Sequence, residues 1–74
     1  MKSVSTNVVY KFIIKFFEEN GYAPSFREIA DGTGIKSTST VQGHMNILYN
    51  DGKIQYEPTK SRAIKLVGWK FVKI

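Results

Sequence analysis

The chain has 74 residues, 42% of them hydrophobic and 14% aromatic, with eleven Lys and Arg against six Asp and Glu, a net charge of +5 and a pI near 9.6. That length suits one small domain burying about 60% of its unfolded surface and leaves no room for a second, catalytic one, while the apolar and aromatic content excludes disorder. With no Cys and one His, neither a disulfide framework nor a structural metal is expected, and nothing in the sequence calls for a cofactor.

Lys11 and Lys15 interrupt the apolar residues near the N-terminus, so neither a signal peptide nor a membrane span fits, and a soluble, cytoplasmic protein is expected. The charge is unevenly spread. Up to Ile35, Lys2, Lys11, Lys15 and Arg27 balance Glu18, Glu19, Glu28 and Asp31. After it, Lys36, Lys53, Lys60, Arg62, Lys65, Lys70 and Lys73 face only Asp51 and Glu57. The second half therefore holds the whole excess and is the half a polyanion would meet.

In chain order, Thr6 to about Asn20 is predicted as a first helix, with Val9, Phe12, Ile13, Phe16 and Phe17 at helical spacing and Gly21 as its left-handed stop. Its aromatics are expected in the core, where burying three would contribute on the order of 5–9 kcal/mol before entropy. Ser5 and Thr6 lie where a helix start could face a phosphate; a plain cap is the simpler role. Tyr22 is expected as a lid on the core, and Pro24 bars helix at Ala23.

Ser25-Phe26-Arg27-Glu28 is a capping box that opens a short second helix with Ile29 and Ala30 on its apolar face. Gly32 and Gly34 are expected to give its exit backbone angles closed to other residues. After Ile35 plugs the turn, Ser37 is predicted to cap a third helix. Val41, Met45 and Leu48 form its buried stripe, with His44 at the edge as a packed, hydrogen-bonded residue. Gly52 ends it. Lys53–Glu57 and Arg62–Val67 alternate as strands, joined by turn chemistry at Pro58-Thr59-Lys60-Ser61.

The third helix leaves Ser39, Gln42, Gly43, Asn46 and Asn50 facing outward, a surface without charge but rich in hydrogen-bonding groups. Such a face suits base edges in a major groove, where Gln pairs bidentately with adenine and Ser or Thr meets either strand. Gly43 inside a helix costs roughly 1 kcal/mol relative to Ala, which close approach of DNA or tight packing would explain. The fold class expected is α+β, mainly α: a winged helix–turn–helix of three helices and a β-hairpin wing over residues 1–67, with 68–74 as a tail that adds a strand or docks a partner.

The residues that carry a family likeness are Gly21-Tyr22-x-Pro24-Ser25-x-Arg27-Glu28-Ile29, then Ser37-x-Ser39-Thr40-Val41-x-Gly43-His44, then Pro58-Thr59-Lys60-x-Arg62-Ala63-Ile64. In that order they resemble the DNA-binding domain of the LexA repressor family from Gly21 to about Leu66. The resemblance implies a repressor that binds double-stranded DNA at short inverted repeats as a dimer, and it implies base readers at Ser37, Ser39, Thr40, Gln42 and Gly43. Asn46, on the same face, joins them. Backbone contacts are expected from Ser25, Arg27 and Lys36 around the turn and from Lys60 and Arg62 in the wing.

Family members that read with paired acidic side chains would carry them at Gln42 and Gly43, with Asn at Ser39. This chain resembles the other branch, which also has Gly before His44. The family continues into a second domain that dimerises and cleaves its own chain with a Ser–Lys pair, and here the sequence stops at Ile74 after an alternating apolar run. A stand-alone chain, monomeric or weakly dimeric and without self-cleavage, is the expectation. The rival reading is a winged helix that binds another regulator, with Trp69, Phe71 and Ile74 as its contact edge. An enzyme has little support, because His44 lacks a partner in sequence and there is no Gly-rich phosphate loop.

Overall fold

The computed structural model describes residues 4–57 and 63–68. Within them the order is three helices and a two-stranded antiparallel sheet: α1 (Thr6–Asn20), α2 (Phe26–Thr33), α3 (Thr38–Asn50), β1 (Ile54–Tyr56) and β2 (Ile64–Leu66). This is the mainly helical winged helix–turn–helix that the sequence predicts. The turn at 58–61, which holds Lys60 and has Arg62 just beyond it, and the tail from Trp69 lie outside the described residues.

Each helix starts on a serine in extended backbone. The Ser5 hydroxyl accepts from the Val8 N–H at 3.3 Å and caps α1. Ser25 accepts from the Glu28 N–H at 3.1 Å while the Glu28 carboxylate accepts from the Ser25 N–H at 2.9 Å. That reciprocal pair satisfies two donors that the helix itself cannot. Ser37 accepts from the Ser39 N–H at 3.2 Å.

The helix ends are as specific. Gly21, at φ 78°, ends α1 and donates to the Phe17 carbonyl. Past α3, Lys53 donates to the Leu48 carbonyl and Gly52 to that of Tyr49. This is the Schellman arrangement, which needs the left-handed residue that Gly52 supplies at φ 75°.

One apolar cluster joins all five elements: Val9 and Ile13 of α1, Ala23, Ile29 and Ala30 of α2 and its approach, Val41, Met45 and Leu48 of α3, and Ile54, Ile64 and Leu66 of the sheet. The three α3 residues are the predicted stripe. Ile54 faces Leu66 and Tyr56 faces Ile64 across the strands, so the wing's inner face closes the bottom of the core.

Two expectations change. Phe12, Phe16 and Phe17 are half-buried rather than central. Phe12 and Phe17 pack against the core from its rim, and Phe16 lies between Phe12, tilted at 6.0 Å, and Tyr22, edge-on at 5.6 Å. The fully buried positions of α1, a helix that packs against both α2 and α3, fall to the smaller Val9 and Ile13; the gain assigned to three buried aromatics is correspondingly reduced. Gly32, expected to serve the helix exit, is instead an ordinary helical residue whose missing side chain makes room for the Phe12 ring, which a Cβ there would overlap. The left-handed exit is made by Gly34 alone, at φ 81°.

Candidate nucleic-acid interface

The site is built on α3, held at its start by Ser37 and locked from behind by three fully buried side chains. With Val41, Met45 and Leu48 turned inward, the remaining side chains have fixed outward directions. Ser37, Ser39, Thr40, Gln42, Gly43, Asn46 and Asn50 are all exposed, so every base-reading candidate lies at the surface of one helix. No described atom comes within 4 Å of where a Gly43 Cβ would sit, and its φ is not left-handed. Among the described residues, neither packing nor backbone strain accounts for glycine at this position.

At the N-terminal end of this face, Arg27, Asp31, Gly34, Lys36, Ser37 and Thr38 line an open depression between α2 and α3. Two cations beside the first N–H groups of α3 favour an anion; Asp31 sets one negative charge against them. Arg27 and Lys36 are exposed, whereas Ser25, named with them, is half-buried and holds the α2 capping box with its hydroxyl oxygen. Only its O–H is left to donate outward.

Three side chains make contacts that join separate elements of the fold. His44 is half-buried and its Nδ1 lies 2.8 Å from the Thr6 hydroxyl, tying the start of α1 to α3; the packed role holds, and Thr6 has a partner within the fold. The Lys53 ammonium stands 5.3 Å from the centre of the Tyr10 ring, a cation–π contact that draws this base toward α1. In the sequence Tyr56 of β1 is only one position of an alternating strand. Its hydroxyl donates to the Asn46 side-chain oxygen, and its ring meets Phe26 at 6.0 Å and Tyr49 at 5.9 Å. No spacing rule joins residues ten apart in a helix and a following strand, so the sequence carries no signal for this contact.

Among the described residues no group of acids and histidines is arranged to hold a metal, and no helix is long and apolar enough to cross a membrane.

Three helices, the third with a polar exposed face, and a short antiparallel hairpin define a winged helix–turn–helix protein. The family described as LexA DNA binding domain matches residues 5–63, and the chain belongs to it. The match begins at the cap of α1, so the first helix is part of the shared unit that the residue likeness placed from Gly21 onward. The LexA repressor of Caldicellulosiruptor saccharolyticus is 49% identical over 59 residues, and that of Clostridium perfringens 48% over 59. The LexA repressor of Staphylococcus epidermidis is 46% identical over 59. In each case the alignment takes in 80% of this chain and 29% of the relative. The chain thus spans less than a third of the length of these relatives.

Proposed function

We propose that the protein binds double-stranded DNA sequence-specifically and acts as a transcriptional repressor, with α3 in the major groove reading an operator half-site. The observation that carries this is the exposed surface of α3, which is uncharged and presents Ser39, Thr40, Gln42, Asn46 and Asn50 beside Ile47 and Tyr49, in a chain whose positive charge lies in the same half. A solvated helix gains solubility from Lys and Glu on its outer face; base edges in a groove are met by neutral amides and hydroxyls. Gln42 is the central reader, flanked by Ser37, Ser39, Thr40, Gly43 and Asn46. Arg27 and Lys36 beside the turn, Ser25 through its O–H, and Lys60 and Arg62 in the wing hold the sugar-phosphate backbone. These contacts set register and affinity without carrying sequence information.

One such domain covers one half-site, so two copies on an inverted repeat gain through effective concentration while one copy alone binds weakly. Selection of bound sites from random duplex DNA tests the reading. The expected result is a short motif that recurs as an inverted repeat in the tightest binders, with retention that falls steeply as salt is raised. Recovery of no motif, or retention on DNA that is indifferent to salt, contradicts it and favours a protein-binding winged helix.

A further inference from the structure

We infer that Tyr56 of the wing is a positioning residue for recognition: its hydroxyl holds the Asn46 side-chain oxygen and so orients the amide, which presents the Nδ2 donor to DNA and selects an acceptor. The inference rests on the reading of α3 as the groove helix and goes one step further, to the hydrogen-bonding sense of one contact.

Asn46 lies three residues beyond Gly43 and four beyond Gln42 on α3, one turn along the same exposed face. A free asparagine amide presents an acceptor and a donor side by side, the pair that reads adenine bidentately through N6 and N7. Here the Tyr56 hydroxyl donates to Oδ1. With one lone pair of Oδ1 taken, the side chain keeps both Nδ2 hydrogens and a single acceptor site, so it is weighted toward donation. The partners that match are acceptors: guanine O6 or N7, thymine O4, adenine N7 taken singly, or a phosphate oxygen.

Tyr56 can hold the amide because its own position is set by the fold. Its backbone pairs with Ile64 in the sheet, its side chain is half-buried, and its ring is braced by Phe26 from α2 and edge-on by Tyr49 from α3. Three elements therefore fix where the hydroxyl stands. A phenol donates to an amide oxygen more readily than it accepts from an amide nitrogen, which sets the orientation of the carboxamide. The wing thus acts on recognition at its root, beside α3, as well as at its basic tip.

The test measures binding of Tyr56→Phe, Asn46→Ala, Asn46→Asp and the Tyr56→Phe/Asn46→Ala pair to the preferred duplex, to its single-base-pair variants and to random duplex, with thermal melts alongside. Gln42→Ala serves as the control for base reading. Tyr56→Phe keeps the ring and its packing, so the melting temperature should stay close to the parent's. Asn46→Ala removes an exposed side chain and the partner of the Tyr56 hydroxyl, and the melts show what that costs the fold. Each should weaken the preferred duplex by roughly three- to tenfold, the value of one hydrogen bond, and the pair should be no weaker than Asn46→Ala alone. Asn46→Asp keeps the acceptor for Tyr56 but turns a carboxylate oxygen outward, so it should bind less well than Asn46→Ala.

A loss confined to one base pair, the same one for Tyr56→Phe and Asn46→Ala, assigns the acceptor to a base edge. An equal loss on every duplex assigns it to a phosphate. If Gln42→Ala discriminates between duplexes while Tyr56→Phe and Asn46→Ala bind all of them as the parent does, the inference is wrong and base reading by α3 stands. An effect of Asn46→Ala that Tyr56→Phe does not share removes the positioning role. Absence of discrimination in Gln42→Ala as well removes the underlying reading and the inference with it.

Discussion

Gly43→Ala should make the protein more stable and a poorer DNA binder, and the two signs together distinguish the reasons for a glycine in the middle of α3. In an exposed helix interior Ala is favoured over Gly by about 0.8–1 kcal/mol, and no described atom within 4 Å of the new methyl opposes that gain. For a domain of this size, 1 kcal/mol corresponds to a rise in melting temperature of about 4–8 °C. If the groove floor approaches the helix at this point, the methyl must displace DNA or tilt α3. The cost is then comparable to overpacking, about 1–3 kcal/mol, or roughly a five- to 150-fold loss of affinity.

Gly32→Ala is the internal control, because it makes the same change in the other helical glycine. There the methyl would overlap the Phe12 ring, itself stacked on Phe16, so the propensity gain is consumed and no rise in melting temperature is expected. Thermal melts and titration of a labelled duplex measure both effects. A stabilised Gly43→Ala that binds as tightly as the parent would show that DNA does not approach there. A destabilised one would contradict the open surroundings of the residue.

Two further outcomes follow from the geometry. Ser25→Ala removes the hydroxyl of the reciprocal cap on α2 and should cost about 1 kcal/mol of unfolding free energy in urea; a loss under a few tenths would mean that the cap does not hold the helix in solution. Lys36→Ala should flatten the dependence of log affinity on log salt by about one and weaken all duplexes alike, and an unchanged slope would take the depression between α2 and α3 out of the interface.

Much of the fold is legible in the sequence because short-range chemistry decides it. The Ser25–Glu28 pair, the Ser37 cap and the glycines at 21 and 52 fix helix ends through contacts within a few residues, and such contacts leave a pattern that spacing rules detect. The inward stripe of α3 follows from its period in the same way. What the sequence hides is set by which elements cross. Gly32 resembles a helix stop until Phe12, twenty residues earlier, is seen beside it. The α1 aromatics score as core on period alone, yet Val9 and Ile13 take the fully buried places and the larger rings lie at the rim. The outward positions of α3 are legible because helical periodicity gives direction, whereas the hold of Tyr56 on Asn46 joins a helix to a strand.

The central claim, that α3 reads bases, is tested most directly by Gln42→Ala measured on the selected operator and on scrambled duplex at one salt concentration, with circular dichroism as the folding control. Gln42 is exposed, so the fold should be unaffected. The account predicts a loss of about 1–3 kcal/mol on the operator and almost none on scrambled DNA, since only base-edge contacts carry sequence information. Equal losses on both duplexes, or no loss on either, would contradict it.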